Sequence, residues 1–290
     1  MNRTLRRIAG RTGLAILGLA VLAGIWEAYK ALAPDDGVKL GGVRVLPRTD
    51  DSSMPHLSTV WHAFGRTDVN QSVLHKVFFA CVHTLRWATF GFVIGVIVGL
   101  LLALLMDRLL VAERAILPWI VLSQTVPLIA LAPMVKRWGD GWSIAGLTWQ
   151  PSTSVAVIAA YLAFFPVAIG MARGLKSPEA VHTDYFRVTG SGWWKTLVRL
   201  KVPASVPFLI PALRLGAAAA VVGTIVAEIS IGLQGGIGRL IIDYSAAASD
   251  DPSKLYASVV GAAVLGLFVA AVITLVDVAL WRYRKTGETV

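Results

Sequence analysis

Long apolar stretches constrain the fold of this chain more than any other feature. A helix that crosses a bilayer needs about 20 mostly apolar residues, and six stretches reach roughly that length. They are residues 13–32, 81–106, 115–135, 154–172, 208–231 and 256–281. The third contains Pro118, Pro127 and Pro133, which neighbouring helices can accommodate inside a membrane. We therefore predict an all-α integral membrane protein with six transmembrane helices.

The composition agrees with this class. The chain is 56% hydrophobic and 15% charged, whereas soluble domains are about 45–50% apolar and about 25% charged. A net charge of +10 could indicate nucleic-acid binding, but the basic residues lie between apolar spans, so we expect membrane lipid and no nucleic acid as partner. The chain has a single cysteine, Cys81, which excludes an intrachain disulfide and a thiolate metal cluster.

The orientation follows from the Lys and Arg residues, which are enriched in cytoplasmic loops. The predicted first span is preceded by Arg3, Arg6, Arg7 and Arg11, and its apolar stretch is longer than that of a signal peptide. It is therefore predicted to be a retained helix. The balance of basic residues predicts that both termini and the loop at residues 177–203 face the cytoplasm.

The segment between the first two spans is predicted to lie outside. Its first half is polar and rich in turn residues, and apolar residues recur at helical spacing from Leu57 and again from Val73. This pattern predicts one or two amphipathic helices at the outer interface. We divide the chain into an N-terminal span with this outer segment, residues 1–80, and a five-span core, residues 81–290.

The loop at residues 177–203 is the most polar and basic segment between two long apolar ones. Ser177 as a cap, Pro178 in the first helical position and Glu179 in the first turn predict a helix start. The residues Val181, Tyr185 and Val188 would form its apolar face.

Gly190 and Gly192 predict the end of that helix. A second short helix with an apolar face of Trp193, Trp194, Leu197 and Leu200 is predicted to follow, and Pro203 ends it. From the residues alone, a basic amphipathic loop on the inner leaflet and a docking loop for a protein partner are both compatible with this pattern.

The spacing of five residues resembles a known family motif. Asp184, Gly190, Leu200, Val202 and Pro203 match the register of the coupling loop of ABC-importer permeases, which reads EAA, three residues, G, nine residues, I-x-L-P. Tyr185 and Phe186 stand where that family has two alanines. Four other segments are similar to permeases of the nitrate/sulfonate/taurine group: residues 83–105, 123–134, 164–175 and 227–229.

The resemblance implies a permease subunit of a type I ABC importer in the plasma membrane of a prokaryote. Its partners would be two ATPase subunits, a second permease copy in a homodimer or a close relative in a heterodimer, and an extracytoplasmic solute-binding protein. ATP and Mg²⁺ would bind the ATPase subunits, so this chain would be a transport subunit without cofactor or enzymatic activity. The group carries small anions and vitamin precursors.

The resemblance also assigns roles to residues of the loop. Val181 and Tyr185 would fill a groove of the ATPase, Asp184 and Arg187 would set the register by charge pairing, and Gly190 would permit the turn. Leu200, Val202 and Pro203 complete the motif, and Pro203 would fix the exit into the fifth span.

Two polar residues of the spans are candidates for the translocation pathway. Ionisable residues inside spans are costly and are often functional, so Glu228 is predicted either to line the pathway or to pair with a basic residue elsewhere. Gln124 is the second candidate. A six-span secondary transporter, a membrane-embedded enzyme and a membrane assembly protein are the alternatives, and the first and third would work without an ATPase.

Overall fold

The structure is a computed structural model that describes the backbone at residues 2–37, 39–40, 43–144, 146–248 and 250–284. Side chains are described throughout these ranges except at 2–12, 14–16, 39–40, 43–44, 110, 144, 147 and 276–284. The basic residues at both ends of the chain, on which the predicted orientation partly rests, therefore lie outside the described side chains.

Most of the described chain is helical. The helices are α1 (Asn2–Leu32), α2 (Leu57–Ala63), α3 (Val73–Arg108), α4 (Leu110–Ser123), α5 (Leu128–Gly139), α6 (Pro151–Leu175), α7 (Ala180–Val188), α8 (Trp193–Thr196), α9 (Val202–Ile231), α10 (Ile237–Ala246) and α11 (Pro252–Arg284). A π-helical stretch, Leu197–Lys201, joins α8 to α9 and is called the π segment below.

Short antiparallel strand pairs add to the predicted all-α fold. β1 (Lys39–Leu40) pairs with β2 (Val43–Arg44), β3 (Thr67–Asp68) with β4 (Gln71–Ser72), and β5 (Ser143–Ile144) with β6 (Leu147–Thr148). Each strand has two residues, so these pairs shape loops and build no sheet core.

Four described helices are long and apolar enough to cross a membrane: Val73–Arg108, Pro151–Leu175, Trp193–Ile231 and Pro252–Leu275. A fifth span is possible in the predicted third stretch, where the helices Val111–Ser123 and Leu128–Gly139 are bent by 106° at a short break. The predicted first span lies within α1. Six spans and the orientation of the termini stay predictions.

The break in the third stretch has a local cause at Pro127. This residue is the N-cap of α5, with an extended backbone, and a proline disfavours the helical conformation of the residue before it. Pro118 and Pro133, in contrast, lie inside α4 and α5. The predicted single span is thus two helices, and only one of its three prolines lies at the break.

The chain divides into two compact units, residues 1–77 with 243–259 and residues 78–242 with 260–290. In the first unit, the carboxylate of Glu27 accepts a hydrogen bond from the Leu57 amide at 2.7 Å and contacts His56 Nδ1 at 2.8 Å. α2 buries Val60 and leaves Trp61 exposed, as predicted for an amphipathic helix. The second predicted amphipathic stretch is instead the start of α3. The functional division at residue 80 stays a prediction.

In the second unit, α3 packs closely on α6 through glycines spaced four residues apart, Gly91, Gly95 and Gly99. A Cβ at Gly95 would lie 2.7 Å from Ala163 Cβ and 2.8 Å from the Ala160 carbonyl oxygen. Such positions admit only glycine, and small residues are what lets helices approach closely in membranes.

α6 also contacts α9, and the loop at residues 177–203 connects these two helices. A Cβ at Gly174, near the end of α6, would lie 2.6 Å from Ser205 Cβ near the start of α9. The two helices therefore cross at backbone distance where the loop between them begins and ends.

Candidate functional site

The first helix of the loop, α7, begins three residues after Ser177. Glu179 is the N-cap, with φ −61° and ψ 152°, in the extended region. The predicted cap, Ser177, instead donates its hydroxyl to the carbonyl oxygens of Gly174 at 2.8 Å and Ala204 at 3.2 Å. The prediction that Ser177 caps the helix is therefore wrong, and this residue joins the two ends of the loop.

The apolar side chains of α7 point away from the rest of the chain. No residue of α7 is buried, and Val181, Tyr185 and Val188 are 74%, 66% and 87% exposed. Three large apolar side chains on one face of a helix are costly to leave in water, which is typical of a surface that another protein covers.

The charged pair predicted to set the register forms within α7. Arg187 Nη1 lies 3.3 Å from Asp184 Oδ1, and both side chains are largely exposed. An exposed pair three residues apart contributes little to helix stability. Both groups therefore remain accessible beside the apolar face.

Gly190 forms the turn that follows α7. Its φ is +66°, in the left-handed region that side chains other than glycine disfavour. The Gly190 amide donates to the Arg187 carbonyl oxygen at 3.0 Å, and the Ser191 amide donates to that of Phe186 at 3.0 Å. The turn therefore satisfies the last carbonyl groups of the helix, as predicted from the glycine.

The second predicted short helix is the start of a much longer one. α8, the π segment and α9 are continuous from Trp193 to Ile231, 39 residues in all. Pro203 lies inside this continuous helix, two residues after the last residue of the π segment, and so the prediction that Pro203 ends a helix is wrong. Leu200 is half-buried in the π segment, whereas Val202 and Pro203 are exposed.

The π segment is anchored to α3 and α6. Leu197 is buried against Ala103 of α3 and against Met171 and Leu175 of α6. Beside this cluster, Lys201 Nζ contacts Asp107 Oδ1 at 2.6 Å. These contacts were not predicted, because Asp107 lies 94 residues before Lys201 and no local pattern relates the two.

Glu228 is fully buried near the end of α9. Its carboxylate accepts hydrogen bonds from the Thr84 hydroxyl at 2.8 and 2.9 Å and from the Gly238 amide at 3.0 Å. His83 Nδ1 lies 3.8 Å away. The partners that hold Glu228 are thus a hydroxyl and a backbone amide at the start of α10, and its role in the pathway stays a prediction.

Gln124 lies at the break between α4 and α5. It is the C-cap of α4, is half-buried, and its Nε2 donates to Ser123 Oγ at 3.2 Å. The Tyr161 hydroxyl of α6 donates to the Ser123 carbonyl oxygen, which holds the break against α6. None of the hydrogen bonds or ion pairs described above joins Gln124 to Glu228, and the pathway role of Gln124 also stays a prediction.

A known protein family matches most of the chain. Residues 91–282 match the model of the family described as binding-protein-dependent transport system inner membrane component. The matched range includes α7, the π segment, α9 and the second half of α3.

Curated proteins with similar sequences are transport permeases. The chain is 32% identical to the formylaminopyrimidine transport permease protein ThiX of Halalkalibacterium halodurans over 70% of this chain and 76% of that protein. It is 27% identical to the putative aliphatic sulfonates transport permease protein SsuC of Bacillus subtilis over 93% and 87%. It is also 30% identical to the riboflavin transport system permease protein RibX of Chloroflexus aurantiacus over 44% of each chain.

A solved structure shares the fold. A chain from the crystal structure of an amino acid ABC transporter with histidines aligns with a TM-score of 0.58 and 15% sequence identity, over 71% of this chain and 95% of that chain. At this identity the likeness concerns the fold alone.

Proposed function

Because the chain belongs to the family of binding-protein-dependent transport system inner membrane components, an ABC transporter permease family, we propose that it couples solute import to ATP hydrolysis on separate ATPase subunits. It is a multi-pass protein of the prokaryotic plasma membrane and a transport subunit rather than an enzyme. ATP and Mg²⁺ bind the ATPase subunits, two of which dock on two permease copies arranged as a homodimer.

The exposed apolar face of α7 carries this proposal. Val181, Tyr185 and Val188 form a stripe that the described chain leaves uncovered, and Asp184 and Arg187 stand beside it with their charges accessible. A helix with this pattern fits an apolar groove with a charged rim, which is a common mode of helix recognition. The occupant of that face is the ATPase subunit.

The path from this face into the membrane is short. α7 is joined through the Gly190 turn to the continuous helix that includes α9, and Ser177 ties the end of α6 to Ala204 at the start of α9. A displacement of α7 therefore reaches two membrane helices at once. This geometry supports alternating access, in which ATP-driven movement of the ATPase subunits reorients the spans.

The substrate is proposed to be a small anion or a vitamin precursor. A sulfonate permease and permeases for formylaminopyrimidine and riboflavin are among the relatives. A solute-binding protein delivers the substrate to the outer face of the permease dimer. Glu228 and Gln124 are the candidates for contact with the pathway.

The test is co-purification of the tagged chain from its native membrane in mild detergent, with mass spectrometry of the partners. The wild type should retain an ATPase with a nucleotide-binding loop at about one per chain, and Val181→Asp should lose it because a carboxylate cannot enter an apolar groove without a large desolvation cost. Thr183→Asp is the matched control, since residue 183 lies on the opposite side of α7.

Two results would contradict the proposal. Recovery of the chain alone, with transport that continues when ATP is depleted, would make it a secondary transporter. Equal ATPase recovery with Val181→Asp and with the wild type would show that α7 is not the docking helix.

A further inference from the structure

Asp107, at the cytoplasmic end of α3 in the predicted orientation, has two partners in the loop. One carboxylate oxygen contacts Lys201 Nζ at 2.6 Å, and the other accepts a hydrogen bond from Trp193 Nε1 at 3.3 Å. The Asp107 side chain is only 5% exposed and that of Lys201 is 20% exposed. Trp193 is the first residue of α8, and Lys201 is the last residue of the π segment. One carboxylate therefore holds both ends of the stretch that precedes α9.

Packed side chains surround this contact. The guanidinium of Arg108 lies 5.1 Å from the centre of the Trp193 ring, at a distance typical of a cation–π contact. Leu197, between the two partners of Asp107, is buried against Ala103 of α3. A largely buried ion pair with packed neighbours is poorly screened by salt and by water, unlike the exposed pair of Asp184 and Arg187.

The connectivity shows why α3 needs such a contact. α9 continues directly from the π segment, and α6 ends where the loop begins. Asp107 of α3 precedes Trp193 by 86 residues in the sequence. No short stretch of chain therefore joins α3 to the loop. Movement of the loop therefore reaches α9 and α6 through the backbone, but it reaches α3 through side chains.

We propose that Asp107 is a positioning residue that makes α3 move together with the coupling loop, through its contacts with Lys201 and Trp193. The proposal rests on the proposed ATPase coupling and adds a second transmission route to it. Without the ion pair, ATP would still move α9 through the continuous helix, while α3 would follow only through apolar packing. The π segment, whose hydrogen bonding departs from the α pattern and which is typical of functional sites, is where the two routes separate.

The native cysteine allows a test that needs no knowledge of the substrate. Cys81 is the single cysteine of the chain, lies on α3 and is half-buried. The permease co-purified with its ATPase subunits is treated with N-ethylmaleimide, without nucleotide and after trapping with ATP and vanadate. The rate of Cys81 modification is read on the separated permease chain. A Cys81→Ser/Val222→Cys variant, with its reporter at an exposed position of α9, gives the corresponding rate for α9.

In the wild type, nucleotide trapping should change the modification rate at both reporters. Asp107→Asn and Lys201→Met should reduce the nucleotide effect at Cys81 about fivefold or more, since coupling between sites is typically worth at least that factor. The effect at the Val222→Cys reporter should persist in the same variants. Lys201→Arg should restore the response at Cys81, because it keeps the cation.

Glu113→Gln is the matched control, because it removes an ion pair with Lys176 near the same end of the bundle without touching the π segment. Its response at Cys81 should equal that of the wild type. Melting temperatures of all variants, measured in the same detergent, identify any that are simply unfolded, and Lys201→Arg remains informative if Asp107→Asn does not fold.

The outcomes separate the two proposals. The proposed role of Asp107 is overturned if the α9 reporter responds to nucleotide and the response of Cys81 is the same in three proteins: the wild type, Asp107→Asn and Lys201→Met. The same holds if Cys81 in the wild type does not respond while α9 does. If neither reporter responds in the wild type complex, the proposed coupling to the ATPase itself fails.

Discussion

The hydroxyl of Thr84 donates a hydrogen bond to the carboxylate of Glu228 at 2.8 Å, although the two residues are 144 positions apart. The same hydroxyl oxygen accepts a hydrogen bond from the Ile237 amide at 2.9 Å, and Glu228 accepts another from the Gly238 amide. Both amides lie at the start of α10, where the N–H groups of a helix have no partner within the helix and negative charge is favoured. α3 and α9 thus cap α10 together.

We expect Glu228→Ala to destabilise the protein substantially. The change leaves the Thr84 hydroxyl and the Gly238 amide buried without their acceptor, at about 1–3 kcal/mol for each group. The measurement is the melting temperature in detergent. Ser230→Ala is the control, because the Ser230 hydroxyl bonds only locally, to the Val226 carbonyl oxygen at 2.8 Å. Equal melting temperatures for both variants would contradict the capping role.

We expect Gly95→Ala to weaken the packing of α3 on α6. The added Cβ would stand 2.8 Å from the Ala160 carbonyl oxygen, and overpacking of this kind costs about 1–3 kcal/mol. At Gly266 of α11 a Cβ would meet nothing within 4 Å, so Gly266→Ala should be neutral or slightly stabilising because alanine is the better helix former. Thermal unfolding of the two variants measures the difference, and a loss of stability in both would point to a general effect.

We expect Gly190→Ala to impair ATPase docking through backbone strain alone. A Cβ at this position would have open space around it, but φ is +66°, which costs other residues about 1–2 kcal/mol. The fraction of ATPase that co-purifies with the permease should therefore fall. Gly192→Ala should leave it unchanged, since φ at Gly192 is −65°. A normal yield with Gly190→Ala would show that the turn has no role in docking.

We expect the first unit to lose stability in acid through Asp68. A hydrogen bond from Lys76 is the main cause that lowers the pKa of Asp68, with further hydrogen bonding from Tyr244 and attraction to Lys254. A carboxylate with a lowered pKa in the folded state stabilises the fold above its unfolded pKa, about 3.9, and that contribution disappears as the pH falls through the lower folded value.

Hydrogen exchange of the β3–β4 hairpin between pH 6 and 3 tests this expectation. Protection should decrease below about pH 4 in the wild type, and Asp68→Asn should remove the part of the pH dependence that this carboxylate causes. The burial that raises the pKa of Tyr244 keeps its hydroxyl protonated, so this donor does not titrate in the same range. An identical pH profile in wild type and variant would contradict the assignment.

The sequence was sufficient for features with a local or periodic cause. Apolar stretches predicted the long helices because a bilayer demands a run of about 20 such residues, and the glycine at 190 predicted the turn. Pro203 misled the prediction because proline in a helix interior usually ends or kinks the helix, and the sequence does not show that the preceding π segment continues into α9.

Contacts between distant positions could not be predicted in the same way. Asp107 and Lys201 are 94 residues apart, and an aspartate at the end of an apolar run is also typical of an ordinary interfacial residue. The glycines at 91, 95 and 99 were a visible signal, since a spacing of four places them on one helix face. Their partner, α6, was not apparent from the spacing.

The continuous helix from Trp193 to Ile231 also has a mechanical consequence. At 1.5 Å per residue, its 39 residues extend over about 58 Å, nearly twice the thickness of the hydrocarbon core. Such a rod acts as a lever, and a tilt of about 5° around its midpoint would shift each end by about 2.5 Å. One end bears the turn after α7 and the other bears Glu228, so a small rotation at one surface of the membrane becomes an ångström-scale displacement at the other.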